Sequence, residues 1–70
     1  MVLVYSKQNC PQCVAAKTKL TAAGIKYEEI RVDLDPSARN MLMGFGHRSV
    51  PVIYKDGAAI KLEDLLLQVK

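Results

Sequence analysis

The sequence predicts one α/β domain over residues 1–70, ordered β-α-β-α-β-β-α, with a four-stranded mixed sheet flanked by three helices. Three observations predict it. Short apolar runs rich in β-branched residues, Val2-Leu3-Val4-Tyr5 and Val52-Ile53-Tyr54 among them, alternate with stretches whose apolar residues recur at helical spacing. Strands joined through a helix pair in parallel by a right-handed crossover. Near the end, Asp56-Gly57 between two strand-like runs marks a tight turn, and a hairpin closed by such a turn is antiparallel.

Taken in order, Val2-Leu3-Val4-Tyr5 reads as a buried strand because its apolar residues run together without polar alternation. A polar loop leads to Pro11, which suits a first helical turn, where its missing N–H is not needed. That helix carries Cys13, Ala16, Leu20 and Ala23 on its inner face, and Gly24 ends it in a left-handed conformation. Lys26 to Val32 reads as a second strand, with Ile30 and Val32 turned inward and Glu29 and Arg31 on a wet face. Asp35-Pro36 forms an N-cap and first-turn pair for a short helix over Ser37 to Met43, which stops near Gly44 and Gly46. After Val52-Ile53-Tyr54 and Ala58-Ala59-Ile60, the residues Leu62, Leu65, Leu66 and Val69 make one apolar helical face.

Composition narrows the function. A chain of 70 residues buries only roughly 60% of its unfolded surface, which is one small core and no second domain. Half the residues are apolar and mean hydropathy is near zero, the pattern of a soluble globule. Met1 to Tyr5 is too short an apolar run for a membrane span and has no signal-peptide flanks, so the expected compartment is the cytoplasm, where thiols are kept reduced. The net charge of +3 is scattered, and three Tyr, one Phe and no Trp offer no base-stacking platform, which excludes a nucleic-acid module.

Both cysteines fall within Asn9-Cys10-Pro11-Gln12-Cys13, and three chemistries are open to such a pair. As a staple it gains little, because chain-entropy stabilisation grows with loop length and this ring is minimal. As half of a zinc site it lacks partners: four ligands are wanted, and beyond the pair the chain has one histidine, His47. No metal site is therefore expected within one chain; a zinc ion or iron–sulfur cluster would have to be shared between two copies. Thiol–disulfide exchange needs an activated thiol, a second thiol within reach and room for a substrate. Cys10 at the start of a helix meets unpaired N–H groups and the positive end of the dipole, which favour the thiolate and make it the nucleophile. Cys13, one turn further in, is placed to resolve the mixed disulfide and leave a Cys10–Cys13 disulfide.

Ser49-Val50-Pro51 supplies a second signal. A cis bond before Pro51, opening the third strand, is expected to turn the Val50 backbone toward the cysteines, ready to pair with an extended substrate. The expected substrate surface is Lys7, Pro11, Gln12, Arg48, Ser49, Val50 and Pro51; Lys7 and Arg48 are open to two readings, steering of anionic groups or partner surfaces, or plain solvated cations. His47 reads as a rim residue rather than a general base, and Met41, Met43 and Phe45 as core and rim packing. Tyr5 is open to two readings, support of the nucleophile's loop or plain core.

With its first strand, its Cys-x-x-Cys at a helix start, Gly24-Ile25-Lys26-Tyr27-Glu28, Asp33 to Pro36, and Ser49-Val50-Pro51, the chain resembles a small glutaredoxin-type member of the thioredoxin superfamily. Gly46-His47-Arg48-Ser49-Val50-Pro51-Val52 is most similar to NrdH-type redoxins. The resemblance implies a thioredoxin-like fold and a monomeric dithiol–disulfide oxidoreductase with no bound cofactor. It also implies electrons from NADPH through thioredoxin reductase, delivered to ribonucleotide reductase, and hence to deoxyribonucleotide synthesis, or to another disulfide-containing protein. A true glutaredoxin would draw on glutathione instead, and a metal or iron–sulfur carrier on the same fold is the rival from another class. The glycine pair with which glutaredoxins grip the γ-glutamyl end of glutathione is absent from Ile60-Lys61-Leu62-Glu63-Asp64-Leu65, as is the Ser-Gly-Phe segment of typical NrdH redoxins.

Overall fold

Strand β1 (Val2–Ser6) occupies the middle of the sheet, and each neighbour is set by how the chain returns to it. The computed structural model describes residues 1–47 and 49–68. Helix α1 (Pro11–Ala22) carries the chain back so that β2 (Tyr27–Arg31) lies parallel to β1, with Val2 opposite Tyr27 and Ser6 opposite Arg31. Helix α2 (Pro36–Gly44) then crosses to β3 (Val52–Lys55), which runs antiparallel to β1 with Tyr5 opposite Val52. Strand β4 (Ala58–Ile60) folds back on β3, giving the order β2-β1-β3-β4, and α3 (Leu62–Gln68) follows after one residue, Lys61.

Side chains alternate along a strand, so β1 feeds both layers. Val2 and Val4 join Leu20 of α1, Ile53 of β3 and Leu65 of α3 in one cluster, while Tyr5 joins Val52 and Leu42 of α2 in the other. Helices α1 and α3 therefore cover one face and α2 the other. Leu62 packs against the first cluster, as the apolar spacing of α3 predicts; Val69 lies outside the described residues. The inner face predicted for α1 is borne out at Cys13, Ala16 and Leu20, with Ala23 half-buried. Glu29 is exposed on the expected wet face of β2, with Arg31 half-buried, and that face is partly covered. Tyr27 packs against the α1-side cluster, and Glu29 accepts hydrogen bonds from Ser6 and Lys17. Met41, Met43 and Phe45, expected as core and rim packing, stay out of the core and are exposed, Phe45 to 67%, because α2 turns the Leu42 side of its last turns to the sheet; Met43 lines a groove at the rim.

Both long helices end in the same device. After α1, Gly24 takes φ +74°, its N–H donates to Thr21 O at 3.0 Å, and the Ile25 N–H reaches Leu20 O at 3.0 Å. These are the two bonds of a Schellman motif, and its apolar contact is present because Ile25 packs on the cluster that holds Leu20. After α2, Gly46 at φ +87° repeats the pattern, with Gly46 N–H to Met43 O at 3.0 Å and His47 N–H to Leu42 O at 2.9 Å. At its start α2 is capped by Asp35, whose Oδ1 accepts the Ala38 N–H at 3.1 Å, as the Asp-Pro pair predicts. Among the described residues no helix is long and apolar enough to cross a membrane.

Leu20 has no exposed surface and links α1 to the strands and to α3. Leu20→Ala is expected to cost about 3 kcal/mol, counting lost transfer energy and the cavity left behind. Urea unfolding should show this as a fall in the midpoint at unchanged slope.

Candidate active site

The two cysteines lie where the chain leaves β1 and enters α1. Ser6 ends the strand, and Lys7, Gln8 and Asn9 bridge to the helix. Asn9 holds φ +57°, a left-handed conformation that asparagine tolerates better than most residues. That turn delivers Cys10 to the N-cap in an extended conformation, followed by Pro11 in the first turn. In this position an N-cap residue normally offers a side-chain oxygen to the second or third helical amide. Here sulfur takes the role: the Cys13 N–H donates to Cys10 Sγ at 3.1 Å. The two cysteines form a disulfide, with Cα atoms 5.2 Å apart. Cys10 retains 7% of its surface and Cys13 only 1%, so a partner approaching from solvent meets Cys10 first. When the pair is reduced, the amide hydrogen bond and the helix N-terminus both favour negative charge on Cys10 Sγ.

Opposite Cys10 stands the loop between α2 and β3. Cys10, Pro11, Gln12, Ser49, Val50, Lys7 and Asn9 line one open cleft, so most of the expected substrate surface converges there. The peptide between Val50 and Pro51 is cis. Pro51 itself lines a different groove, with Val52, Ile60 and Leu62 on the α3 side. Arg48 lies outside the described residues. A third groove, on the α2 side, places Lys7 with Arg39, Met43 and Val50 over the apolar floor of Leu42 and Val32. His47 sits at the rim between grooves, its Nε2 3.4 Å from the Tyr54 hydroxyl. Tyr5 belongs to the core, edge-on to Tyr54 at 5.6 Å, and burial pushes its hydroxyl pKa up. Among the described residues no group of three or more His, Cys, Asp or Glu side chains gathers as a ligand set.

Sequence reasoning missed several polar residues that hold the loop. Asp33 accepts the Gln8 N–H at 3.4 Å and takes both Arg31 Nε, at 2.8 Å, and Arg31 Nη2, at 2.6 Å. Ser6, with no exposed surface, donates to Glu29 Oε2 at 2.6 Å, and Lys17 Nζ donates to the same oxygen at 2.7 Å. The i, i+4 relation of Cys13 and Lys17 is a signal the sequence carries; the meeting of Ser6 and Glu29 needs the β1–β2 register.

The glutaredoxin family model matches residues 2–60. The chain is 42% identical over 59 residues to the glutaredoxin-like protein NrdH of Lactococcus lactis subsp. lactis (strain IL1403), covering 84% of this chain and 82% of that protein. Its fold superposes on the thioredoxin-like protein BC3987 with a TM-score of 0.85, at 32% identity and full coverage of both chains. It superposes on the NrdH-redoxin of Escherichia coli at 0.83, with 26% identity, covering 99% of this chain and 93% of that one.

The Arg31 guanidinium holds the Asp33 carboxyl below its ordinary value. A carboxyl depressed on folding stabilises the folded state in full above its unfolded pKa, and that contribution is lost as pH falls through the folded value. Asp33→Asn is therefore expected to unfold in less urea than wild type at neutral pH. It should lose less of its midpoint on acidification below the ordinary aspartate range, which parallel urea titrations at the two pH values measure.

Proposed function

This chain belongs to the glutaredoxin family and is a thiol–disulfide oxidoreductase, and we propose that it serves as a cytoplasmic, monomeric dithiol electron donor to disulfides of proteins. The observation that carries this reading is the Cys10 sulfur at the N-cap of α1, hydrogen-bonded to the Cys13 amide and facing the cleft shared with Ser49 and Val50. Cys10 thiolate attacks one sulfur of the substrate disulfide; the other leaves as a thiolate and is protonated by solvent. Cys13 then loses its proton and attacks Cys10 Sγ. The internal disulfide forms, and the second substrate thiol departs. The Val50 backbone and the Ser49 side of the cleft hold the substrate chain extended beside Cys10, with Lys7, Pro11 and Gln12 forming the opposite lip.

The oxidised protein is re-reduced by thioredoxin reductase with NADPH, and ribonucleotide reductase is the acceptor in view. Two observations support this branch over glutathione. The relatives in sequence and structure include NrdH proteins, and the E. coli NrdH-redoxin has a thioredoxin-like activity profile. Between β4 and α3 there is only Lys61, which leaves no glycine loop to close over a γ-glutamyl group.

Cys10→Ser is expected to abolish insulin reduction, whereas Cys13→Ser should accumulate a mixed disulfide visible by non-reducing electrophoresis. Trapping by Cys10→Ser instead would reverse the two roles. Rapid reduction of the oxidised chain by thioredoxin reductase and NADPH, with slow reduction by glutathione, is the expected donor result. The opposite order would make the chain a glutathione-dependent glutaredoxin. Stoichiometric, chelator-resistant zinc or iron with no reductase activity would make it a metal carrier.

A further inference from the structure

The exchange reading leaves the polar cluster behind Cys13 without a task. Lys17 lies four residues after Cys13 on α1, which makes their side chains neighbours on one helix face, about 5–6 Å apart at Cβ. Its ammonium is tied to Glu29 Oε2 at 2.7 Å, and the fully buried Ser6 hydroxyl holds that oxygen from the other side at 2.6 Å. Cys13, Lys17 and Glu29 line the same open cleft. The further charges facing it are Lys7 of the loop and Arg31 of β2, and Arg31 is already paired with Asp33.

Cys13 is the deeper thiol, at 1% exposure, and removal from solvent opposes the ionisation of a thiol. Nearby charge therefore has strong leverage over it. An ammonium one turn away favours the thiolate, and a carboxylate fixed against that ammonium offsets it. Lys17 and Ser6 hold the Glu29 carboxyl below its ordinary value, so it is an anion at neutral pH. The ion pair keeps 28% and 32% of its side-chain surfaces exposed, so the field is weakened by solvent but not abolished.

We propose that Glu29 is a positioning residue for the exchange reaction: it clamps Lys17 beside the resolving cysteine and offsets its charge, so that Cys13 stays protonated while Cys10 attacks. The proposal rests on the exchange reading and adds the division of labour between the two thiols. When the mixed disulfide forms, the Cys13 proton passes to solvent, its sulfur bonds to Cys10 Sγ, and the Cys10–substrate bond breaks with its electron pair leaving on the substrate sulfur. Neither Glu29 nor Lys17 is consumed. Their joint charge sets how readily that proton departs.

The test uses the full chain with Cys10→Ser, in which Cys13 is the sole thiol, and follows thiolate formation against pH by ultraviolet absorbance. Glu29→Gln is expected to raise the Cys13 thiolate-to-thiol ratio roughly threefold to tenfold at neutral pH, and Lys17→Gln to lower it by a similar factor. The double substitution should return close to the parent. Shifts of the same sign in the two variants, as loosened packing would produce, or no shift in either, overturn the proposal. Failure of the exchange reading is seen separately, as wild-type protein that does not reduce insulin, and the proposal falls with it.

Discussion

Helix α1 opens with an amide that needs an acceptor, and the sulfur of Cys10 supplies it. Much of the molecule serves to bring that one contact about. Strand β1 must end at Ser6, the chain must turn through the left-handed Asn9, and Leu20 must anchor the far side of the helix in the core. If the helix slid by one residue, Cys13 would leave its buried place and a solvated residue would enter. A capping bond with a chemically reactive acceptor ties stability to reactivity, because whatever favours the cap also favours charge on the sulfur.

The sheet gives this contact its surroundings. β1 is parallel to β2 and antiparallel to β3, so the end of β1 and the start of β3 lie side by side, Tyr5 against Val52. The loop that precedes β3 therefore arrives beside the loop that follows β1, and Ser49 and Val50 become a wall of the Cys10 cleft. The wall is secured from behind: the His47 amide is bonded to Leu42, a core residue of α2. The alignment of nucleophile and wall follows from strand register, which a buried two-faced strand specifies strongly.

Those elements were legible because each has a local chemical reason. Pro11, Gly24, Asp35-Pro36 and Asp56-Gly57 punctuate the chain at the ends the structure gives them, and Cys10 at a helix start is a signal within five residues. What escaped sequence reading depends on distant pairing. Glu29 looked like one charge on a wet strand face, and only the alignment of β2 with β1 brings it against Ser6 and Lys17. Met41, Met43 and Phe45 misled because apolar identity does not say which side of a short helix the sheet will cover; α2 buries Leu42 and leaves its neighbours outside. Arg48 and Val69 lie outside the described residues.

The register also divides the sheet into two ends. Val2 faces Tyr27 on one side and Lys55 on the other, so the Gly24 turn and the Asp56-Gly57 turn both close the edge of the sheet opposite Ser6 and Val52. The Gly24 turn is held by its bonds to Thr21 and Leu20 and the Asp56-Gly57 turn by the Asp56 N–H bond to Met1 O, and neither borders the Cys10 cleft. Insertions, labels or tethers at Asp56-Gly57 would therefore meet solvent at the end remote from the sulfur chemistry. The end of the sheet that carries both tight turns is thus separate from the end that carries the sulfur chemistry.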